Sequence, residues 1–194
     1  MHSFTDLARS RRSVRRYKAD PVPDELLTQV VEAARWAPTA VNSQPWEFII
    51  VTDPEVKDLV GRHSRYMGLG WPHIRQAPAL IVVCVRRLTP FARDDAIFAA
   101  ANLMLAAADL GLGTCWIGGF KESALKPILG IDQDYVLPGF CTLGYPEGET
   151  SAPPKRELSD MVHRDTLSGR RPLIPHLSGP LEVLGRLLKA QFGK

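Results

Sequence analysis

Residues 94–110 restrict the fold of this chain more than any other segment, because they form an almost continuous apolar stretch rich in alanine. Apolar residues fall on nearly every side of a helix with this sequence, so the helix has to pack on several sides. The triplet Gly111-Leu112-Gly113 follows and predicts where the helix ends. The sequence therefore predicts a helix that lies in a core or at an interface.

Short strands and helices alternate around this helix. Apolar and β-branched runs predict strands over Trp46–Val51 and over residues 79–85, 114–117 and 140–143. Helical spacing predicts a short opening helix, a helix from an N-cap at Asp24 to Ala37, and helices over residues 55–61 and 121–129. Residues 62–78 have no clear period and indicate a lid or a pocket wall. This alternation is typical of a layered α/β or α+β fold.

Length and composition bound the organisation of the chain. At 194 residues and 45% hydrophobic content, the chain can bury one ordinary core. From Gly148 onward the composition turns to Pro, Ser and charge, and residues 181–192 predict an amphipathic helix. We expect a domain over residues 1–165 and an arm over residues 166–194, which packs on the domain or on a partner subunit.

Charge, cysteine usage and hydropathy exclude several classes of protein. The net charge of +3 is too small to indicate a nucleic-acid-binding protein. Cys84, Cys115 and Cys141 have no disulfide or zinc spacing, which favours a reducing compartment. No signal-peptide core is visible, and the longest apolar run, residues 79–85, is too short to cross a bilayer. We expect a cytoplasmic protein without a membrane or nucleic-acid partner.

Other catalytic and metal chemistries find no support in the sequence. The histidines are scattered without metal-ligand spacing, so no metal site is predicted; they are His2, His63, His73, His163 and His176. No G-x-S-x-G elbow, P-loop or dinucleotide-binding G-x-G-x-x-G is present.

A basic segment near the N-terminus is the first candidate site. Six basic residues lie between Arg9 and Lys18, on both sides of Ser13. Guanidinium groups bind phosphate oxygens in pairs, so the segment suits a phosphate. A solvated charged surface and a nucleic-acid contact are the alternatives.

A polar loop that follows the second predicted helix is the next candidate. In Ala37-Pro38-Thr39-Ala40-Val41-Asn42-Ser43-Gln44-Pro45-Trp46, the amides of Asn42 and Gln44 could meet the polar edge of a planar heterocycle. A Pro-bounded turn without a ligand is the alternative.

Two further motifs follow predicted strands. Gly118-Gly119 would let backbone N–H groups approach a ligand closely, although a plain tight turn has the same composition. Gly144-Tyr145-Pro146 ends the last predicted strand, and Lys155 and Arg156 follow it.

Together and in this order, the four motifs resemble the nitroreductase family of FMN enzymes. The family pattern runs R-x-S-x-R, A-P-S/T-x-x-N-x-Q-P-W, a glycine-containing turn, then G-Y-P and a basic residue, and the match covers about residues 8–165. The resemblance implies an α+β, three-layer sandwich with a mostly antiparallel central sheet flanked by helices, in an entwined homodimer. The apolar helix at residues 94–110 would then belong to the dimer interface.

The resemblance also implies roles for particular residues. One subunit would bind the FMN phosphate and ribityl chain, the other subunit would contribute the amide loop, and flavin N5 would face the glycine turn. The implied cofactor-binding residues are Arg11, Arg12, Ser13, Arg15, Lys155 and Arg156; Pro38, Thr39, Ala40, Asn42 and Gln44; and Gly118 and Gly119. The candidate acceptor-pocket residues are Tyr66, Met67, Trp71 and Phe91, for which ordinary packing is the alternative.

The implied function is hydride transfer from NADH or NADPH through flavin N5 to a small electron-poor acceptor such as a nitroaromatic or a quinone. No side chain would act as a catalytic group, because the flavin carries the electrons. Many nitroreductases have an acidic residue where this chain has Gly118-Gly119. In this chain, hydrogen bonds to flavin N5 would therefore come from the backbone alone. Flavin binding without turnover, or dehydrogenase, dehalogenase or flavin-fragmenting activity within the family, are the alternatives.

Overall fold

The structure is a computed structural model that describes residues 3–66, 68–148 and 150–167. Met1–Thr150 form one compact unit, and Ser151–Lys194 belong to a second. In its described part the second unit contains a 3-10 turn at Leu158–Asp160. The division expected at residue 165 stays a prediction, and the helix expected over residues 181–192 lies outside the described residues.

The described part of the first unit has six α-helices, six strands and a 3-10 turn at Ala40–Asn42. The helices are α1 (Phe4–Ser10), α2 (Asp24–Arg35), α3 (Pro54–Arg62), α4 (Pro72–Gln76), α5 (Ala92–Asp109) and α6 (Glu122–Leu129). The strands are β1 (Trp46–Val51), β2 (Arg65–Tyr66), β3 (Leu69–Gly70), β4 (Ala79–Arg86), β5 (Gly113–Ile117) and β6 (Tyr135–Gly144).

Four of the strands form the central sheet, in the order β1-β4-β6-β5. All three strand pairs are antiparallel, with Trp46 opposite Val85 at one edge and Gly113 opposite Gly144 at the other. β2 and β3 form a separate two-stranded hairpin. The strand at residues 46–51 has the predicted bounds, and the mostly antiparallel sheet expected from the resemblance is confirmed.

Helices cover both faces of the sheet. Alternate residues of β4 point to opposite faces, so Ile81 and Val83 pack with residues of α2 and α5, whereas Leu80 and Val82 pack with residues of α3, α4 and α6. Because both faces are covered, β4 is an unbroken apolar run. The three-layer α+β sandwich is therefore confirmed.

β6 is longer than the sequence predicts, since it begins at Tyr135 and not at residue 140. Its first half contains Pro138 and Gly139, which are unfavourable in strands. The pairing register with β4 shifts between Val83 and Val85, so β6 accommodates these residues at a bulge. The prediction from local propensity is wrong here, because pairing with β4 extends the strand through residues that are unfavourable in strands.

Two other predictions need correction. The N-cap position of α2 is Pro23 and not Asp24, which is the first helical residue, and the helix ends at Arg35 rather than Ala37. Asp24 still favours the helix start, since an acidic side chain in the first turn complements the helix dipole. Residues 62–78 are not irregular throughout, because they contain the β2–β3 hairpin and α4.

Candidate functional site

The basic segment lies along the edge of the central sheet. Ser13 forms a parallel bridge with Thr114 in β5, and the Val14 amide donates to the Thr114 carbonyl at 2.8 Å. Further along, the Lys18 amide donates to the Tyr145 carbonyl at 2.9 Å. The structure therefore brings the basic segment beside both β5 and the Gly144-Tyr145-Pro146 motif.

A buried tyrosine anchors this segment to the sheet. The Tyr17 hydroxyl donates to the Val14 carbonyl at 2.7 Å and is hydrogen-bonded to the Thr142 hydroxyl, also at 2.7 Å. Burial raises the pKa of Tyr17 far above its usual range, so the phenol stays protonated. Neither Tyr17 nor Thr142 is predicted from the sequence as a residue of the site. The one available signal is Thr142, a polar residue inside the otherwise apolar end of β6.

The arginines of the segment place positive charge close to the sheet. Burial raises the pKa of the Cys115 thiol, and the charges of Arg15 and Arg11 oppose that rise, which places both near this strand. Arg12 donates through Nη1 to the carbonyls of Arg9 and Arg11, but its Nε is buried and has no partner among the described residues. Guanidinium donors of this kind fit a phosphate group.

A cavity of about 230 Å³ opens beside these arginines. Its lining includes Arg11 and Arg12, Gly113 in β5, and Ala108 near the C-terminal end of α5. Ser13 is exposed next to it. The cavity thus offers guanidinium groups and backbone at the start of β5, which is a suitable arrangement for an anionic end of a ligand.

The glycine turn lies at the other end of the same strand. Gly118 and Gly119 follow β5 directly, four and five residues beyond Thr114, which corresponds to about 13 Å of strand for the first of them. Gly118 is exposed, and the nearest described atom to a Cβ at this position would be Trp116 Nε1 at 3.8 Å. The basic segment and the exposed backbone at Gly118 therefore lie along the same strand, β5, of one chain.

The amide loop has an unusual backbone. Val41, Asn42 and Gln44 have φ values of 50°, 56° and 44°, in the left-handed region that residues with a Cβ rarely adopt. The side chains of Asn42 and Gln44 are exposed, Pro38 is exposed, and Thr39 and Ala40 are half-buried. Strained backbone with exposed amides is a frequent feature of binding sites.

One chain does not bring the amide loop and the basic segment together. The Ala40 amide donates to Asp95 at the start of α5, whereas the cavity beside Arg11 is lined by Ala108 near the end of α5. Thirteen residues separate these two positions on the helix, which corresponds to about 20 Å. Within one chain, the two candidate segments therefore lie towards opposite ends of α5.

Two of the candidate acceptor-pocket residues, Trp71 and Phe91, precede helices that cover opposite faces of the sheet. Trp71 precedes α4 and packs into the apolar cluster on the α3, α4 and α6 side of the sheet. Phe91 precedes α5, which covers the opposite face, and its side chain is exposed. Tyr66 belongs to β2, and Met67 lies outside the described residues. Their acceptor role stays a prediction.

His73, next to the candidate Trp71, is held neutral inside the protein. The two rings meet edge to face at 5.8 Å, and His73 is 2% exposed. Burial, with a smaller contribution from Arg15, lowers the pKa of His73 to about 4. In the described ranges, no group of three or more acidic, cysteine or histidine residues could hold a metal ion, and no helix has the length and hydropathy to span a membrane.

Lys155 and Arg156 belong to the second unit. Lys155 is exposed, and Arg156 is half-buried and donates to the Asp160 carbonyl at 2.7 Å. This bond holds the Arg156 guanidinium against the 3-10 turn. Their expected contact with a phosphate stays a prediction.

Comparison with known proteins identifies the family. The Nitroreductase family model matches residues 8–67 and 61–145. A Thermus thermophilus protein named NADH dehydrogenase is 31% identical over 180 residues, covering 73% of this chain and 86% of that protein. The solved structure of an FMN-dependent nitroreductase from Clostridium difficile aligns with a TM-score of 0.76 at 27% identity, over 84% of this chain and 100% of that one.

A second solved structure is that of oxidized iodotyrosine deiodinase bound to FMN and 3-iodo-L-tyrosine. It aligns with a TM-score of 0.76 at 26% identity, over 84% of this chain and 99% of that chain. The family model covers well over half of the present sequence, and the chain spans most of each of these relatives. This chain therefore belongs to the nitroreductase family.

Proposed function

We propose that the chain is an FMN-dependent oxidoreductase that uses NADH or NADPH to reduce a small electron-poor acceptor, such as a nitroaromatic or a quinone. The observation that carries this proposal is the basic segment held along β5, which ends in the open Gly118-Gly119 turn. The relatives support it, since one is named NADH dehydrogenase and two solved neighbours are described with FMN. When bound, FMN supplies hydride transfer through its N5 atom.

The basic segment would hold the phosphate and ribityl chain. Arg11, Arg12 and Arg15 supply guanidinium donors and Ser13 a hydroxyl, all held in place because Tyr17 ties the segment to the sheet. Lys155 and Arg156 would add cations to the same phosphate. Arg12 fits this role in one particular respect, since its buried Nε has no partner among the described residues.

The remaining contacts would come from a second subunit of a homodimer. The separation of about 20 Å along α5 favours a site in which Asn42 and Gln44 of one chain complete the cofactor site of the other. The residues assigned to this contribution are Pro38, Thr39, Ala40, Asn42 and Gln44. The backbone of Gly118 and Gly119 would face N5, with no acidic side chain at either position.

The acceptor would meet the exposed face of the flavin. Tyr66, Met67, Trp71 and Phe91 stay the candidate residues for its pocket. Trp71 is better placed than the exposed Phe91 for an aromatic contact, because its ring is held edge to face against the buried His73. One pocket would serve the nicotinamide and the acceptor in turn, since the sequence has no separate dinucleotide-binding motif.

Reductive dehalogenation is the second candidate activity. The observation in its favour is the structural neighbour with bound 3-iodo-L-tyrosine, which aligns over 84% of this chain. Iodotyrosine therefore belongs in the acceptor panel beside nitroaromatics and quinones.

The test is anaerobic reduction of the FMN-loaded protein with NADH and with NADPH, followed by addition of each acceptor. We expect rapid bleaching of the flavin absorbance by at least one nicotinamide, and its return with an electron-poor acceptor. Arg11→Gln should weaken FMN binding at least tenfold, because it removes a charged donor beside the cavity. Arg9→Gln is the matched control, since Arg9 is exposed in α1 of the same segment.

Three outcomes would contradict the proposal. Protein that stays colourless and gains no flavin absorbance with added FMN would exclude the cofactor. Bound FMN that neither nicotinamide bleaches would indicate a flavin-binding protein without turnover. Equal FMN affinity in the Arg11→Gln and Arg9→Gln variants would exclude the assigned phosphate site.

A further inference from the structure

Asp95 is a buried acidic residue that the proposed cofactor site does not include. It lies in the first turn of α5 and is 3% exposed, whereas its neighbour Asp94 is exposed. Acidic residues are rarely buried to this degree unless a partner or a function requires it. The contacts of Asp95 therefore need an explanation.

The carboxylate of Asp95 contacts the amide loop. Its Oδ1 accepts a hydrogen bond from the Ala40 amide at 3.2 Å, across 55 positions of sequence. Its Oδ2 is buried and has no hydrogen-bond partner among the described residues. Among the described residues, the hydrogen-bond partner of this carboxylate is therefore the loop.

Four hydrogen bonds join residues 39–44 to one another. In the backbone, the Asn42 amide donates to the Thr39 carbonyl at 3.3 Å and the Ser43 amide donates to the Ala40 carbonyl at 3.0 Å. The Gln44 amide donates to Thr39 Oγ1 at 3.3 Å, and Gln44 Nε2 donates to the Asn42 carbonyl at 3.4 Å. Three of the four are longer than a typical N–H···O bond. Left-handed backbone at three residues with side chains persists only where the surroundings impose it.

Asp95 supplies that external constraint. In the part of the chain that the structure describes, it is the residue outside the loop that hydrogen-bonds to residues 39–44. The bond reaches Ala40, directly before the left-handed residues Val41 and Asn42. Because α5 is packed in the core, Asp95 fixes the start of the loop relative to a rigid helix.

We propose that Asp95 is a positioning residue, which holds the amide loop in the conformation that presents Asn42 and Gln44 to the flavin of the partner subunit. This inference rests on the proposed function. We assign Asp95 a positioning role and no contact with the flavin, because its carboxylate is buried and accepts a hydrogen bond from Ala40.

Three variants of the full chain test this role. Asp95→Leu removes the acceptor but keeps a branched, apolar side chain in a buried place, so the protein should stay folded. Asp95→Asn keeps an oxygen that accepts from Ala40. Asp94→Leu is the matched control in the same helical turn.

The measurements are hydrogen–deuterium exchange of the peptide containing residues 39–44 in flavin-free protein, the FMN dissociation constant from flavin fluorescence, and Tm. We expect Asp95→Leu to exchange faster in this peptide and to bind FMN at least tenfold more weakly, with Tm kept. Asp95→Asn should stay within threefold of the wild-type dissociation constant, and Asp94→Leu should match the wild type in all three measurements. A merely structural role would lower Tm along with affinity.

The outcomes separate this inference from the proposed function. A wild-type protein without FMN affinity would contradict the proposed function, and unchanged exchange in Asp95→Leu would contradict the positioning role independently of flavin. If the wild type binds FMN and Asp95→Leu binds it equally well, the inference is wrong. It is also wrong if Asp95→Asn loses as much affinity as Asp95→Leu, or if Asp95→Leu lowers Tm and affinity together.

Discussion

Buried polar side chains hold the backbone around the candidate site. Tyr17 and Thr142 fasten the basic segment to the sheet, and Asp95 contacts the amide loop. Lys57 donates from Nζ to the carbonyls of Ala77 and Pro78 at 2.9 and 3.0 Å, and its burial lowers its pKa. Each bond satisfies a backbone or hydroxyl group that would otherwise lose its hydrogen bond to water on burial.

His73 should make stability depend on pH. Its pKa is about 4 in the folded protein and 6.5 in the unfolded chain, so between these values the unfolded state binds more protons. The free energy of unfolding should therefore fall as pH falls from 6.5 towards 4, by up to about 3 kcal/mol from this residue. Denaturant unfolding at several pH values measures this dependence.

The variant His73→Gln should flatten the pH dependence over this range, because glutamine does not titrate. His63→Gln is the matched control, since His63 is an exposed histidine at the end of α3 and its replacement should leave the slope as it is. The assignment fails if His73→Gln keeps the full slope of the wild type.

At the scale of elements, the site depends on close packing of the basic segment against β5. A Cβ added at Gly113 would lie 2.5 Å from Val14 Cγ2, closer than two carbon atoms can approach. The glycine therefore lets the segment lie directly against the strand. From local sequence, Gly113 marks only the end of a helix, because its contact with Val14 joins positions about 100 residues apart.

Gly113→Ala should displace the basic segment from β5. We expect a loss of about 1 to 3 kcal/mol in the free energy of unfolding, as for other overpacked sites, together with weaker FMN binding. Urea unfolding and a fluorescence titration with FMN provide the two measurements.

Gly70→Ala serves as the comparison, because no described atom lies within 4 Å of a Cβ at that position. Gly70→Ala should change the free energy of unfolding and the FMN affinity less than Gly113→Ala does. Adding Val14→Ala to Gly113→Ala should recover part of the FMN affinity, and no recovery would argue against this contact as the cause.

At the scale of the whole molecule, α5 has one face buried in the core and another face exposed at the surface. Ala99 and Leu103 are buried against the sheet, whereas Ile97 and Phe98 are 44% and 52% exposed. The sequence predicts a helix that packs on several sides, and one subunit buries only part of that surface. The proposed homodimer would cover the remainder.

Phe98→Asp should therefore weaken the dimer, because it places a charge in an apolar interface. Light scattering coupled to size-exclusion chromatography should show a shift towards monomer, and FMN affinity should fall in parallel. Leu59→Asp replaces a leucine in α3 that is 40% exposed, on the other face of the sheet, and should leave the dimer intact. A stable monomer with wild-type FMN affinity would contradict the shared site.

Much of this protein follows from local sequence. Apolar and β-branched runs predicted the strand at residues 46–51 with its observed bounds, the buried strand β4 and the long helix α5, since composition and hydrophobicity are properties of neighbouring residues. The four motifs also carried the family resemblance, because each is a short contiguous pattern.

Only the tertiary structure decided the long-range contacts. Ser13 pairs with Thr114, and the Ala40 amide donates to Asp95, although these residues lie far apart in sequence. His73 is buried inside the folded chain. No local period encodes any of these features. The bulge in β6 likewise depends on a neighbouring strand. Local patterns determine which elements form, whereas packing between distant segments determines which side chains meet, because those contacts exist only once the chain is folded.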